Sequence, residues 1–352
     1  MNYSVDEKNF KILGRTLMLD NVRYLNYSGS YIEFEFIGEK VEAVIWTNGA
    51  NGDDIYKAWI AVFINDEETP SKRFALNHEE AKYVLYEGDG TKATKIRIMK
   101  MSEVAFAKVG IKSINIEGKQ PEPTNYLPRK IEFIGDSITC GYGNEGIFNV
   151  DVFNTTQENP WEAYAIKTAR KLGADYHLVS WSGIGIISNW VEASVNEPLD
   201  NWLMPMLYQY TDAHLCKELN ITDVEVWDNT RFSPDVIVIN LGTNDMSYTR
   251  NIKERVDKFG NEYYKFLEFV RSHNPGSSII CTLGAMGDDL CPEIEKQVHR
   301  FSDDKNDTNV YFMKFDVQMD EDGIGADWHP SIITHEKMAQ KLSDTIKEIK
   351  NW

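Results

Sequence analysis

Ser137 is the residue of this chain best placed to act as a nucleophile. It ends the tripeptide Gly135-Asp136-Ser137, which follows the alternating apolar residues of a predicted strand over 131–134. A serine at the carboxyl end of a parallel strand lies where open α/β sheets bind their ligands, and Gly135 permits the sharp turn. A surface turn without chemistry is the competing interpretation, and residues further along the chain decide between the two.

Three other polar clusters stand beside regular segments in the same way. The nearly continuous apolar run 235–241, typical of a strand buried on both faces, leads directly into Gly-Thr-Asn-Asp at 242–245. The run 176–181 leads into Ser-Gly-Ile-Gly at 182–185, and Asp-Trp-His-Pro-Ser at 327–331 precedes an apolar-periodic helix. Serine, glycine, asparagine and histidine thus follow a strand or precede a helix, in that order along the chain.

This ordered set resembles the four blocks of the SGNH (GDSL-type) hydrolases. Residues 135–139 are similar to the first block, Gly183 to the second, residues 242–245 to the third and residues 327–330 to the last. The resemblance covers roughly residues 128 to 352, and the four blocks together are highly specific. With a β-rich segment ahead of it, the chain looks most like carbohydrate esterase family 2, whose members remove acetyl groups from xylan and related polysaccharides.

The resemblance implies a role for each block. Ser137 would attack the ester, and His329 would take its proton, since an imidazole pKa near ~6.5 suits proton transfer at neutral pH. The main-chain N–H groups of Ser137 and Gly183, with the Asn244 amide, would form the oxyanion hole. Loss of one such donor typically costs about 3–4 kcal/mol of transition-state stabilisation. The reaction requires neither a cofactor nor a metal.

The acid that would orient His329 departs from the family pattern. The usual aspartate stands three residues before the histidine, but that position is Ala326 here, and Asp327 stands only two residues before. Either Asp327 completes a Ser-His-Asp triad, which is our prediction, or a main-chain carbonyl orients the imidazole and leaves a Ser-His dyad. Asp136 and Asp245 are expected to tie loops together by hydrogen bonds rather than to act as acids.

Other chemistries are disfavoured by the sequence. Residues 141–146 match the G-x-G-x-x-G dinucleotide fingerprint, but the motif begins too late after the strand and no helical period follows it. The chain has no G-x-S-x-G nucleophile elbow, no P-loop and no H-E-x-x-H zinc motif. Its four cysteines are far apart and contain no C-x-x-C, so they are expected to be free thiols.

The expected fold has two domains. Short alternating strands and turns over residues 1–118 predict an all-β sandwich, for which the resemblance implies a jelly roll. Residues 119–128 are proline-rich and predict a stiff linker. Over residues 129–352 strands and helices alternate, which predicts a parallel sheet covered by helices, the flavodoxin-like α/β/α SGNH domain.

Composition narrows the class of partner and the location. The net charge is −18, and most of the acidic excess lies after residue 120, which argues against nucleic acid or an anionic membrane as partner. No apolar run reaches the ~18–20 residues of a membrane helix. The residues after Met1 lack a signal-peptide pattern, so a native Met1 predicts a cytoplasmic protein, whereas prior removal of a signal peptide predicts a secreted one.

The sequence therefore predicts a serine esterase that removes O-acetyl groups from xylan or xylo-oligosaccharides through an acyl-enzyme, the substrate being what the resemblance implies. The alternatives are an SGNH lipase or thioesterase acting on a short acyl substrate, and a non-catalytic carbohydrate-binding protein. Trp328, Trp181 and Tyr248 are candidates for stacking on a sugar ring, with simple packing as the competing interpretation. Trp190 belongs to an aromatic-rich stretch that either walls the cleft or packs in the core. The oligomeric state is left open.

Overall fold

The computed structural model of the protein describes residues 1–50, 52 and 54–352, which form two compact units. The first unit contains Met1–Leu127 together with two short segments from further along the chain, Asn154–Glu158 and Thr211–Glu225. The second unit contains the rest, namely Pro128–Phe153, Asn159–Tyr210 and Val226–Trp352. The two inserted segments were not foreseen from the sequence.

The first unit is built from antiparallel strands, which confirms the predicted all-β half. Strand β5 is 17 residues long and takes part in two sets of pairings: its first half pairs with β2, β9 and β11, and its second half with β8 and β10. The strands are β1 Asn2–Tyr3, β2 Lys11–Leu13, β3 Leu17–Leu19, β4 Val22–Tyr24, β5 Tyr31–Thr47, β6 Trp59–Ile64, β7 Lys72–Ala75, β8 Glu80–Glu87, β9 Ala93–Lys100, β10 Val109–Gly118 and β11 Glu122–Pro123.

Alternation along β5 explains where the core of the first unit lies. Val41, Ala43 and Ile45 are fully buried while the residues between them are partly exposed, as the period of two in a strand requires. They join one hydrophobic cluster with Phe34 from the first half of the same strand. The proline-rich segment differs from the expected linker, because Glu122–Pro123 pairs with β5 as an edge strand, where a proline is tolerated.

The second unit contains a five-stranded parallel sheet in the order β13-β12-β14-β15-β16. This 2-1-3-4-5 order is that of flavodoxin-like folds, so the predicted flavodoxin-like sheet is confirmed. Every residue of β13, β14 and β15 is buried, and the nearly continuous apolar run of β14 is the pattern expected of a strand covered on both faces. The strands are β12 Arg129–Gly135, β13 Ala174–Ser180, β14 Val236–Asn240, β15 Ser278–Ala285 and β16 Val310–Val317.

Helices alternate with these strands along the chain. They are α1 Ser137–Cys140, α2 Tyr164–Leu172, α3 Met204–Leu207, α4 Ala213–Glu218, α5 Thr243–Thr249, α6 Lys253–His273, α7 Cys291–Lys305 and α8 Ile332–Lys350, of which α4 belongs to the first unit. Short 3₁₀ turns cover Asp54–Tyr56, Thr155–Gln157, Pro160–Glu162, Asp320–Asp322 and Ala326–Trp328. None of the helices in the described ranges is long and apolar enough to cross a membrane.

Candidate active site

The carboxyl edge of the parallel sheet brings the four sequence blocks to one region. Ser137 is the first residue of α1 directly after β12, and Gly183 lies in the loop after β13. Asn244 lies in the first turn of α5 after β14, and His329 lies between β16 and α8. Because Gly135 at the end of β12 is in register with the last residues of β13 and β14, the first three loops leave the sheet at the same level.

Ser137 and His329 form a hydrogen-bonded pair. The Ser137 Oγ atom lies 2.8 Å from His329 Nε2, although 192 positions separate the two residues in the chain. Withdrawal of the imidazole from water lowers the pKa of His329 to about 4, while the carbonyls at Asp327 and Ala326 and the Asp327 carboxylate act in the opposite direction. A neutral imidazole at neutral pH can accept the serine proton, as a general base must.

Main-chain carbonyls, and not a carboxylate, orient the imidazole. The Nδ1 atom of His329 lies 3.1 Å from the Asp327 carbonyl oxygen and 3.3 Å from that of Ala326. The Asp327 carboxylate instead accepts a hydrogen bond of 2.8 Å from the Tyr142 hydroxyl. Within the described ranges no hydrogen bond joins that carboxylate to the imidazole, so the predicted Ser-His-Asp triad is wrong in this structure and the dyad alternative fits it.

The backbone conformation explains this outcome. Asp327 and Trp328 both have positive φ, at 50° and 66°, so the chain makes a tight left-handed turn immediately before His329. With one residue fewer than the usual spacing, this turn sets the Asp327 carbonyl beside Nδ1 and leaves its carboxylate to Tyr142. Either acceptor selects the tautomer with hydrogen on Nδ1 and a free lone pair on Nε2.

Three hydrogen-bond donors lie at the cleft beside Ser137. The main-chain N–H groups of Ser137 and Gly183 donate to no other residue in the described part of the chain. The Asn244 amide donates to the Ile184 carbonyl at 2.8 Å and has a longer 3.4 Å contact with an Asp136 oxygen, which a substrate oxyanion would displace. These are the three donors that the sequence assigned to the oxyanion hole.

Two buried aspartates tie these loops together, as expected. Asp136 accepts from the Ile138 N–H at 3.0 Å and caps α1, and burial raises its pKa to about 7. Asp245 accepts from the main-chain N–H groups of Ile186, Ile187 and Ser188, so it joins α5 to the loop that carries Gly183. Burial raises the pKa of Asp245 to about 6, and those three N–H groups oppose the shift.

The pair opens into a cavity of about 780 Å³. Its walls combine apolar side chains with serines and three acids, a composition that suits a neutral polar ligand with an apolar face. The lining residues are Ser137, Tyr142, Ser182, Gly183, Trp190, Thr243, Asn244, Met246, Ser247, Met286, Gly287, Asp288, Asp289, Val317, Asp327 and His329.

The aromatic candidates for sugar stacking are not on these walls. Trp181 is 5% exposed and packs in the core, so its prediction as a stacking residue is wrong. Tyr248 lies under the Arg255 guanidinium, and Trp328 is 44% exposed but lies edge-on to Phe148. Trp190 is 53% exposed and on the cavity wall, where its ring is available to a sugar, whereas the other aromatic residue of the wall, Tyr142, packs against Phe153 and His329. The sequence marked Trp190 only as one member of an aromatic-rich stretch.

A serine paired with an imidazole at the carboxyl edge of a flavodoxin-like sheet defines a serine hydrolase of the SGNH type. Residues 133–331 match the GDSL-like Lipase/Acylhydrolase family, and residues 12–124 match the Carbohydrate esterase 2 N-terminal family. The chain therefore belongs to the GDSL-like lipase/acylhydrolases and, among them, to the family 2 carbohydrate esterases.

Several characterised proteins and structures are similar to this chain. The cellulase/esterase CelE of Acetivibrio thermocellus is 34% identical over 331 residues, which cover 93% of this chain and 38% of CelE. An acetylxylan esterase / glucomannan deacetylase of Cellvibrio japonicus is 26% identical over 352 residues, covering 99% of this chain and 91% of that protein. The chain thus spans well under half of CelE and most of the Cellvibrio protein.

Two solved structures share the fold over nearly the whole chain. A family two carbohydrate esterase from Clostridium thermocellum, in complex with cellohexaose, has a TM-score of 0.82 and 32% identity and covers 97% of this chain and 99% of its own. An acetyl xylan esterase from the rumen bacterium Butyrivibrio proteoclasticus has a TM-score of 0.88 and 25% identity, with coverage of 100% and 99%.

Proposed function

We propose that this chain is a serine esterase that removes O-acetyl groups from xylan or xylo-oligosaccharides. The observation that carries the proposal is the 2.8 Å hydrogen bond between Ser137 Oγ and His329 Nε2, at a cavity where two main-chain N–H groups have no other acceptor in the described ranges. That arrangement supplies a nucleophile, a base and a site for developing negative charge, the three requirements of acyl transfer.

The reaction follows from these positions. Ser137 Oγ bonds to the acetyl carbonyl carbon while its proton passes to His329 Nε2, and the carbonyl oxygen becomes an oxyanion held by the Ser137 and Gly183 N–H groups and the Asn244 amide. As the tetrahedral intermediate collapses, the imidazolium gives that proton to the departing sugar oxygen. Water then attacks the acetyl-serine with His329 again as base, and acetate leaves with Ser137 restored.

The names of the relatives and the walls of the cavity support the substrate class. The Cellvibrio relative is an acetylxylan esterase / glucomannan deacetylase, and the Butyrivibrio structure is an acetyl xylan esterase. The exposed indole of Trp190 offers an apolar face of the kind on which pyranose rings stack. Of the three acids on the cavity wall, Asp288 pairs with Lys314, and Asp289 and Asp327 give the cavity a negative charge, which favours an uncharged sugar over a polyanion.

Acetate release from acetylated xylan tests the proposal. We expect release by the wild type and a loss of about 10⁴-fold or more in Ser137→Ala, because removal of the nucleophile leaves only binding and the oxyanion donors. Ser272→Ala is the matched control, since it removes an exposed hydroxyl from α6 that is not on the cavity wall and should retain activity.

The outcomes separate the alternatives. Wild type that cleaves 4-nitrophenyl acetate but not acetylated xylan would remove the substrate assignment and keep the esterase. Activity that is flat or rises from acetyl to octanoyl esters would favour the lipase or thioesterase alternative. Absence of hydrolysis with retained affinity for xylo-oligosaccharides would favour the carbohydrate-binding alternative.

A further inference from the structure

The loop of residues 141–148, whose first six residues match the dinucleotide fingerprint, supports the histidine loop, residues 323–330. The Ala326 N–H donates to the Gly143 carbonyl at 2.9 Å, and the Phe148 N–H donates to the Ile324 carbonyl at 3.0 Å. Ile324 also forms a β-bridge with Pro330, which closes the histidine loop on itself. The glycine-rich motif is therefore used inside the active site and not for a nucleotide.

Glycine is required where the two loops meet. A Cβ atom added at Gly143 would lie 2.8 Å from the Ala326 carbonyl oxygen, and one at Gly325 would lie 2.4 Å from the Gly143 carbonyl oxygen. Both distances are too short for a side chain, so the main chains touch directly. This contact fixes the position of the histidine loop relative to the loop that follows Ser137 and α1.

Tyr142 connects the two loops through its side chain. Its hydroxyl donates a 2.8 Å hydrogen bond to the Asp327 carboxylate, and its ring lies 4.4 Å from the His329 ring at 38°. On its other side the Tyr142 ring stacks on Phe153 at 3.5 Å and 11°, which fixes its orientation. One aromatic side chain thus contacts both the catalytic imidazole and the residue whose carbonyl orients it.

The restraint acts on a strained part of the backbone. Asp327 and Trp328 are held in left-handed conformations that residues other than glycine adopt rarely, and such conformations persist only where surrounding contacts enforce them. The Gln318 side-chain amide donates to the Trp328 carbonyl at 2.8 Å, and Tyr142 holds the Asp327 side chain. Without these bonds the turn can relax toward negative φ and move the Asp327 carbonyl away from Nδ1.

We propose that Tyr142 is a positioning residue for the catalytic histidine, and that the Asp327 carboxylate serves the reaction through Tyr142 rather than through His329. The hydrogen bond from the Tyr142 hydroxyl holds Asp327 in the turn that presents its carbonyl oxygen to His329 Nδ1. The inference rests on the proposed esterase reaction and deepens it, because it assigns the acidic residue of the last block a role other than that of a triad acid.

Four variants measured on 4-nitrophenyl acetate test this assignment: Tyr142→Phe, Asp327→Ala, Asp327→Asn and the double variant Tyr142→Phe with Asp327→Ala. Active sites are counted by titration with a serine-reactive phosphonate, so that kcat refers to folded enzyme only. We expect Tyr142→Phe and Asp327→Ala each to lower kcat by about tenfold with little change in KM, because a small misplacement of a reacting group slows chemistry strongly. The double variant should be no slower than either single variant, since both remove the same bond.

Asp327→Asn is the conservative rescue. Its amide oxygen can still accept from the Tyr142 hydroxyl, so this variant should recover most of the activity that Asp327→Ala loses. A triad acid behaves in the opposite way, because replacing that aspartate by asparagine costs about 10⁴-fold while the tyrosine would be dispensable. A large loss in Asp327→Asn with an unaltered Tyr142→Phe would overturn the proposal. So would variants that change only the titratable fraction or the melting temperature, which indicates a merely structural role.

A wild type without any ester hydrolysis would remove the proposed function but would still leave the positioning role testable. In that case the Nδ1–H proton of the His329 ring is followed by ¹⁵N-edited NMR in wild type and Tyr142→Phe. Faster solvent exchange of that proton in the variant supports the positioning role, and equal exchange in the two proteins overturns it.

Discussion

The imidazole of His329 is prepared for base catalysis by its surroundings and by two carbonyl groups. Removal from water lowers the pKa of His329 to about 4, which keeps the ring neutral, and the carbonyl oxygens near Nδ1 place the lone pair on Nε2 toward Ser137. A carboxylate beside Nδ1 would stabilise the imidazolium more than a carbonyl does, and the pKa of His329 would then be higher. The dyad therefore stabilises the imidazolium less than a triad would, and its base remains unprotonated in mild acid.

The pH profile of the esterase reaction should show this directly. The base must be neutral, so kcat/KM falls as pH drops through the pKa of His329 and is constant above it. With a pKa near 4, about nine-tenths of the enzyme is active at pH 5, whereas an ordinary histidine with a pKa near ~6.5 would leave only about 3%. The profile is measured with 4-nitrophenyl acetate under conditions where the fold is stable by circular dichroism. An acid limb near 6.5 would contradict the assigned environment of His329.

At this scale the sequence located the reacting atoms but not the group that orients them. Ser137 and Asn244 directly follow buried strands and His329 precedes a helix, so their placement is a consequence of parallel-sheet topology. The partner of His329 Nδ1 is a main-chain oxygen, which every residue carries, and so no side-chain pattern could reveal it. Trp181 was misassigned because proximity to a block in sequence does not say whether a side chain points into the core or the cleft.

The elements that hold the site are short loops fixed by main-chain hydrogen bonds. Asp245 accepts hydrogen bonds from three N–H groups of the loop that carries Gly183, and the loop 141–148 supports the histidine loop through main-chain hydrogen bonds. Parallel strands and long helices were predictable because buried strands read as continuous apolar runs and helices carry their own period. The start of α2 could not be predicted in the same way. A proline is typical of the first turn of an α-helix, but Pro160 begins a separate 3₁₀ turn and α2 begins only at Tyr164.

Substitution of Gly143 by alanine should damage catalysis through the contact between these loops. Gly143 has φ of +62°, and the added Cβ would meet the Ala326 carbonyl oxygen at 2.8 Å, so the histidine loop must shift. We expect kcat on 4-nitrophenyl acetate to fall by tenfold or more, since a displacement of about 1 Å can cost on the order of 10²-fold. Steady-state kinetics and the melting temperature are measured together.

Gly276→Ala is the matched control for that variant. Gly276 has no positive φ, and a Cβ added there meets no atom within 4 Å, so kcat and the melting temperature should both stay near the wild-type values. If Gly143→Ala were as active as Gly276→Ala, the close approach of the two loops would not govern the position of His329.

The first unit is completed by residues that come later in the chain. Buried Lys100 donates to the carbonyls of Asn26 and Glu103, and burial together with Lys108 lowers the pKa of Lys100 to about 7. The carboxylates of Glu158 and Asp212, from the two inserted segments, oppose that shift. Sequence patterns could not reveal that the two inserted segments belong to the first unit, because each is too short to show a helical or strand period. Only the structure shows that their carboxylates act on Lys100.

The same segments also supply apolar surface to the first unit. Leu17, at 6% exposure, packs with Leu215 and Cys216 in a small hydrophobic cluster of their own. Asp212 caps α4 by accepting from the Leu215 N–H at 2.8 Å, which fixes the helix that carries both residues. A domain boundary placed at the proline-rich segment therefore leaves out two segments that belong to the first unit.

A fragment of residues 1–127 should accordingly fail to reach the stability of the first unit in the full chain. It loses Leu215, whose removal from a buried cluster costs about 2–5 kcal/mol, and it loses the carboxylates of Glu158 and Asp212, which favour the charged form of buried Lys100. The loss of Leu215 alone is a large fraction of the total stability of a domain of this size. We expect the fragment to show poor amide dispersion by NMR and no cooperative thermal transition by circular dichroism, while the full chain melts cooperatively. A dispersed spectrum and a melting temperature equal to that of the full chain would mean that the strands of residues 1–127 form an independent domain, and that the inserted segments only rest on it.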